Sequence, residues 1–455
     1  MRTLYSVRLE GVATNPAAPV EYLLLILERA EPRMRHALLR RAGVPDEVRA
    51  AAVRHPDPHV RRLVAVSGHA PMELRAPLAD DPDPIVRRAL AAIPEAWEPS
   101  KPLPADVLRR LAADPDPGVR DAVVDRDLPG DVRAALAADP DARVRRGALL
   151  TWPEPPEEIV DAALEDPDPG VRRAAVSLAA HRRPEVAAPL LAAGDTDAAA
   201  RVPLAPGQAA ALCRDGRSAV RRAVAANPSL PPGLVAALAD DPEHEVRLAV
   251  SLRPELTEEQ RAAIDYRVGP EDRLRPPEWF WKRLDDLELM RRYATSAHIG
   301  LRRFAAYSPH LPPDLVVRLA GDEDFVVRLL LSERHPDPPG ELLLSIALES
   351  HFVTRLGRTA HPNFPRAGLA RLAESDDPVA RRLALRDPEL PARVVERLSR
   401  DEEPGVRAEA ARDARLPEAR LLELLDDPDA AGSAARNPGL PVPAMKRILY
   451  DAAII

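Results

Sequence analysis

Apolar positions along the chain fall into a unit that recurs about every 26 residues. A fixed period of this size marks a repeat architecture. Each unit is anchored on an arginine: Arg8, Arg35, Arg61, Arg87, Arg120, Arg145, Arg172, Arg201, Arg221, Arg247, Arg302, Arg328, Arg355, Arg381 and Arg407, with Ser433 in the sixteenth place. Gaps of 33 residues before Arg120 and 55 before Arg302 mark insertions, and the longer one hides a degenerate unit. Thirteen and nine residues before the anchor stand apolar pairs such as Leu74/Leu78, Val107/Leu111, Leu234/Leu238, Leu315/Leu319 and Val394/Leu398. That spacing is one face of a helix. A Leu-Pro step seventeen before the anchor (Leu103, Leu128, Leu230, Leu311, Leu390, Leu416) opens it, since proline is at home in a first helical turn.

The anchor itself sits on a second, shorter helix. Its apolar positions lie one before and two and three after the arginine, as in Val86, Ala89, Leu90 and Val119, Ala122, Val123. Asp57, Asp83, Asp116 and Asp168, four before the anchor, are its N-caps, with proline next. Asn-Pro at Asn15, Asn227 and Asn437 or a similar breaker ends it. Neither helix buries its stripe alone, so the units must stack. The expected fold is all-α: a right-handed α-solenoid of about 15 short two-helix repeats, the second helix partly 3-10. Residues 1–253 and 311–455 read as parts of one continuous solenoid, separated by an irregular aromatic-rich stretch at 254–310.

The unit Leu230-Pro-Pro-x-Leu234…Leu238-Ala-Asp-Asp241-Pro…Val246-Arg247…Ala249-Val250 resembles the leucine-rich repeat variant family, and is similar to short HEAT-like repeats. The resemblance runs from about residue 7 to 450. It implies a unit pairing an α-helix with a 3-10 helix. Some members carry a cysteine-rich iron–sulfur segment before the repeats. One cysteine cannot form such a cluster, so no cofactor is expected here.

Composition narrows the class further. Hydrophobic residues make up 45% of 455, mostly Ala, Leu and Val, while aromatics number only 15. The core is therefore long and thin, and the chain is not disordered. Only three of the 64 basic residues are lysines, a bias that points to a GC-rich genome. A net charge of −8 argues against general nucleic-acid affinity. Without a long apolar segment no signal peptide or membrane span is expected, and the location expected is the cytoplasm.

Candidate chemistry is sparse. Asp-Pro-Asp-Pro-x-Val-Arg, repeated at Asp81–Arg87, Asp114–Arg120 and Asp166–Arg172, resembles metal ligands only in isolation. Recurring throughout, it reads as a cap and turn, one carboxylate capping a helix and the other open to the anchor arginine of a neighbouring unit, while the anchor arginine itself is expected to pair with the repeat's own Asp in an internal ladder. The residue after the anchor is arginine at Arg62, Arg88, Arg146, Arg173, Arg222, Arg303 and Arg382, a solvent-facing stripe able to meet acidic partners or phosphate. Seven of the 15 aromatics lie between 266 and 307: Tyr266, Trp279, Phe280, Trp281, Tyr293, Phe304 and Tyr307. They build either a local core or a binding surface. Trp279 and Trp281, two apart, cannot share a helix face, so one is buried and the other exposed. The Pro-rich insertion Ile93–Pro104 with Trp97, and the Trp-Pro turn at Trp152, are weaker candidates.

No Gly-rich phosphate loop, H-E-x-x-H or G-x-S-x-G occurs. Histidines at 55, 69, 181, 298, 310, 335, 351 and 361 fall in or near turns. Cys213 stands near Arg214 and Arg217, which favour a thiolate, but reads as a small core thiol. The expected function is a non-catalytic scaffold that binds a protein or peptide through Trp279, Phe280, Trp281, Arg283 and Tyr293, with no metal and no membrane partner. A nucleic-acid-binding or repair-like HEAT-type solenoid is the alternative.

Overall fold

The computed structural model describes residues 3–41, 43–67, 70–92, 102–270, 272–349 and 353–455. Among them the regular secondary structure is entirely helical, with short helices in pairs and no strand. No helix is long and apolar enough to cross a membrane. The chain forms two compact units, one of Met1–Ala174 with Arg366–Ile455, the other of Ala175–Pro365. His69, His351 and the insertion around Trp97 lie outside the described residues.

The first helix of each pair is set by its Leu-Pro entry. Pro104 has φ −57° and ψ 146° and stands just before the helix Ala105–Ala112. Pro129, Pro391 and Pro417 do the same, whereas Pro232 and Pro313 occupy the first helical position. Leu103 and Leu108 are both buried, as are Leu230 with Val235, Leu311 with Val316 and Leu390 with Val395. Each couple has the spacing of a hydrophobic staple, which fixes how the chain enters the helix. The second helix begins on its aspartate. Asp57, Asp83 and Asp116 accept the N–H of His59, Ile85 and Gly118 at 2.9, 2.9 and 2.7 Å, and proline follows. The second helices are α-helical except Val353–Ala360, which is 3-10; the first helices at Ala76–Asp80 and Ala370–Glu374 share that tighter winding.

The ladder differs from expectation in one respect. The anchor's expected pairing with its own unit's carboxylate does not form; the other expected pairing does, the anchor reaching the first aspartate of the next unit. Arg61 meets Asp81, Arg87 Asp114, Arg120 Asp139, Arg145 Asp166, Arg221 Asp241, Arg302 Asp322, Arg381 Asp401 and Arg407 Asp427, at 2.6–2.9 Å. The physical reason is that the own-unit aspartate is already engaged as a cap. From its own unit the anchor takes backbone instead: Arg120 Nη1 donates to the carbonyls of Asp114 and Pro115 at 2.7 and 3.2 Å. One guanidinium thus ties its own turn to the next, using its planar fork. Arg201 is no rung. Its helix starts from the cap Asp195, which puts Ala199 in the anchor register, and Arg201 pairs with Asp197 on its own helix.

Burial alone pushes the Asp81, Asp114 and Asp241 carboxyls up. The arginine hydrogen bonds and the N–H of the residue two further on outweigh it and hold them below their ordinary value.

In the unit of Met1–Ala174 with Arg366–Ile455, the stack runs through both ends of the sequence. The helix Leu4–Thr14 packs on Ala431–Arg436 and Val442–Asp451 as the next repeat in line. Asn15 donates to the carbonyls of Ala435 and Asn437 at 2.9 and 2.7 Å. Asn437 makes the same pair of bonds to Ala411 and Asp413, both 2.8 Å, in the repeat before it. Asn227 repeats the device in the other unit, with Ala199 and Val202 at 2.8 and 2.9 Å. The Asn-Pro breaker is therefore also a clip between repeats.

In the unit Ala175–Pro365 the regular stack is interrupted where the spacing doubles. The helix Glu258–Ala262, with the expected capping box of Thr257 and Gln260, is the first helix of a degenerate repeat. In place of its second helix the described residues 264–270 and 272–277 are non-helical. The helices Glu278–Trp281, Leu287–Ala294 and Ile299–Ala305 then resume the pattern.

Candidate functional site

The resumed helices carry the aromatic cluster, and the structure divides it in two. Phe280 and Tyr293 are fully buried and stack at 6.1 Å with an interplanar angle of 2°. Phe304, also buried, lies 5.3 Å from Phe280. Wide aromatic rings fill the volume that the missing second helix leaves. These two expected contact residues thus belong to the core, out of a partner's reach. Burial raises the Tyr293 hydroxyl to about 12.

Trp279 is half-buried against this core. Trp281 is the outward residue of the pair, 39% exposed. It stands edge-on to Tyr307 at 5.3 Å and 80°. Arg334 lies over that ring, 5.5 Å from its centroid, a cation–π placement. Arg283 is exposed but neutralised by Asp286 at 2.5 Å. Lys282 and Arg334, both exposed, have no ion pair among the described residues. An indole edge-on to Tyr307, on a surface that also carries the unpaired cations Lys282, next in sequence, and Arg334, over the Tyr307 ring, is what this stretch offers to solvent. Sequence reasoning missed Tyr307 as its support and Arg334 altogether, because Arg334 comes from the neighbouring repeat.

Beside the cluster lies a serine–histidine pair that invites a catalytic reading. Ser251 Oγ and His298 Nε2 are 2.9 Å apart, both residues being buried. His298 Nδ1 accepts the N–H of Gly300 at 2.9 Å as an N-cap. The proton therefore sits on Nε2 and is donated to the serine, whose hydroxyl donates to the Leu248 carbonyl at 2.8 Å. That is the reverse of the arrangement that activates a nucleophile. Burial, then Arg261 and Arg302, push the imidazole down to about 3. Tyr266 stacks on it at 4.1 Å and 8°.

The second arginines do not form a continuous stripe. Arg62, Arg88, Arg146, Arg173 and Arg222 are exposed and Arg382 is half-buried. Asp121 occupies the register between Arg88 and Arg146, and Glu245 neutralises Arg222 at 2.8 Å. Arg303 is the exception. Only 1% of its side chain is exposed, it meets Asp324 at 2.7 Å, and it donates to the carbonyls of Gly269, Pro270 and Asp272. It pins the irregular segment to the next repeat.

The remaining candidates are structural. Among the described residues, no three His, Cys, Asp or Glu side chains are grouped to hold a metal ion. The half-buried Cys213 thiol is pushed up by burial, against Arg214. Trp152 is half-buried at the end of the helix Ala142–Thr151.

Residues 219–243 match the family model described as leucine rich repeat variant. They run from the anchor helix around Arg221 through the helix Pro232–Ala239. No curated protein matches the chain. Among solved structures, one described as a leucine-rich repeat variant with a novel repetitive protein structural motif is 25% identical. It covers 50% of this chain and 87% of its own, with a TM-score of 0.32. Residues 219–243 are thus a leucine-rich repeat variant repeat, and the same helix pair recurs along the described residues of an all-α repeat protein.

Proposed function

We propose that this protein is a non-catalytic scaffold that binds an acidic protein segment bearing an apolar side chain. The observation that carries this reading is exposed Trp281, standing edge-on to Tyr307, with Arg334 over the Tyr307 ring and Lys282 next to it in sequence. Tryptophan and arginine are the residue types that dominate binding at protein interfaces. Cations without partners favour an acidic segment, and the indole takes its apolar side chain. Trp279 flanks the contact, while Phe280 and Tyr293 support it from below. Aromatic rings beside cations also suit single-stranded nucleic acid. Two observations favour protein: the net charge of −8 and the broken, partly neutralised run of second arginines.

The test is intrinsic tryptophan fluorescence of the full chain titrated with a set of synthetic peptides. These carry one Leu or Trp among Asp and Glu, with charge-reversed versions and a poly-dT oligonucleotide as comparisons. Saturable binding of acidic peptides, weakened about tenfold or more by Trp281→Ala and by Arg334→Ala, is the expected result. Salt-sensitive oligonucleotide binding without peptide binding would move the assignment to nucleic acid.

A further inference from the structure

The interface between the helix Leu4–Thr14 and the last repeats differs from those inside the stack. Its backbones approach closely. A Cβ on Gly11 would lie 2.5 Å from both the Ala435 Cβ and the Gly432 carbonyl oxygen, and one on Gly432 would lie 2.8 Å from Val7 Cγ1. Asn15, fully buried, clips the two sides together as Asn437 does one repeat earlier.

Yet the polar rung is missing. Ser433 stands where the anchor of the last repeat belongs. Arg8 instead turns back, donating to the Leu425 carbonyl at 2.7 Å and to Asp426, whose side chain is 83% exposed. The ordinary rung aspartates Asp81, Asp114 and Asp139 have side chains only 4–5% exposed. Arg41, in the following repeat, is buried with Nε and Nη1 unpartnered. The like charge of Arg436 from the last repeat bears on it. So the joint is shape-matched and clipped but lacks the buried ion pair of the regular interfaces.

We infer that the face formed by Ala431–Arg436 and Val442–Asp451 is an exchangeable docking surface for the helix Leu4–Thr14, filled here by the same chain and open to a second copy when the joint parts. The occupant is fixed by complementarity already on view: this surface is shaped to this chain's own first repeat, glycine to glycine. Such a contact is heterologous, the two partners offering different faces, so between copies it propagates head to tail. Holding both faces on one chain gives the internal contact the advantage of high effective concentration. The native protein is therefore monomeric when dilute, and exchange needs a transient opening. With no buried ion pair to break, this joint opens more readily than an interface that carries a full rung.

The test uses the full chain with two different affinity tags. Equal amounts are opened together in mild urea at high concentration, returned to buffer and examined by light scattering and sequential tag capture. Whole-number multiples of the monomer mass that carry both tags are expected. Gly432→Leu, whose side chain meets Val7 in either setting, is expected to abolish them. In that variant amide exchange over Leu4–Thr14 should rise about tenfold or more, with Ala105–Thr151 unchanged. A wild-type protein that returns wholly to monomer, oligomers that form equally well in Gly432→Leu, or unaltered exchange over Leu4–Thr14 would each overturn the inference. Asn15→Ala, which removes the clip without adding bulk, should raise the same exchange rates. If it leaves them unchanged, the joint is not the labile interface argued here.

Discussion

The regular repeats around Arg61–Arg145 and the irregular stretch at 254–310 solve one problem in two ways. In the regular repeats, narrow apolar helices are tied by an exchanged ion pair at each step, and each rung leaves its neighbours intact. In the irregular stretch a second helix is lost, and aromatic rings fill the space while one buried guanidinium, Arg303, gathers three carbonyls and a carboxylate. The first arrangement spreads its stabilisation over many similar contacts. The second concentrates it in a few residues, and that leaves one edge, Trp281, free to face outward. Regularity thus gives tolerance, and a break in regularity gives a place for a distinctive surface.

The largest expected effect is at the aromatic core. Phe280→Ala empties a fully buried ring site and should cost about 3–5 kcal/mol. Val123→Ala in a regular second helix should cost about 0.5–2 kcal/mol, because less volume is removed. Urea unfolding followed at Trp279 and Trp281 for the first, and by circular dichroism for the second, checks the ranking. Equal costs would mean that the irregular stretch concentrates nothing.

Next comes the arginine after the anchor, where two residues of identical register separate the regions. Arg303→Ala strands the largely buried Asp324 and three carbonyls, an expected loss of about 3–5 kcal/mol. Arg222→Ala removes an exposed pair with Glu245 and should change stability by less than about 1 kcal/mol. A rung lies between these: Asp114→Ala should cost about 1.5–3 kcal/mol. A chemical-denaturation series of the three variants orders them.

The comparison between Arg303 and Arg222 also shows what the sequence discloses and what it withholds. Both follow an anchor arginine, and nothing adjacent distinguishes them. What buries Arg303 is the segment 264–277 folding back from more than 30 residues away, a tertiary event that local pattern does not record. The caps at Asp57, Asp83 and Asp116 were legible because capping is decided within three residues. The helix pairs were legible because apolar spacing is a local property too. The rung was half legible. Its residues stood out, but only stacking assigns the aspartate to the following repeat. In the aromatic cluster, composition marked the place and the two-residue spacing of Trp279 and Trp281 marked opposite faces. Which of the two faced outward depended on Tyr307, and the flanking cation Arg334 came from another repeat. Asn15 and Asn437 read as helix breakers, though their identity was also the trace of the joint between the first and last repeats.

Acid should separate the two regions more gently. Neutral His298 persists in the folded state down to about pH 3, while in the unfolded chain an ordinary histidine takes a proton below about 6.5. Its folded value is depressed, so its contribution is full above pH 6.5 and falls as the pH drops toward the folded value, by at most about 1.4 kcal/mol per pH unit. The rung carboxylates, also depressed, keep their contribution until the pH falls below the ordinary aspartate range. Between pH 6 and 4 the tryptophan-monitored transition should therefore weaken in wild type, and less in His298→Asn, which retains an N-capping side chain. Equal weakening of the two proteins would remove His298 from the account.

A small stability effect also belongs to the residue with the largest expected functional one. Trp281 has Tyr307 on one side and solvent on the other. Trp281→Ala should therefore lower stability by no more than about 1 kcal/mol, well below Phe280→Ala one residue away. The same change should abolish the enhancement that an acidic, apolar-bearing peptide gains over its charge-reversed version. Trp281→Phe keeps an edge against Tyr307 and should recover part of it. Adjacent residues then divide the work of the irregular stretch, one holding the helices together and the other meeting a partner. If Trp281→Ala proved as destabilising as Phe280→Ala and bound peptide as wild type does, the outward indole would be one more piece of the core, and the break in the repeat would be a repair rather than a site.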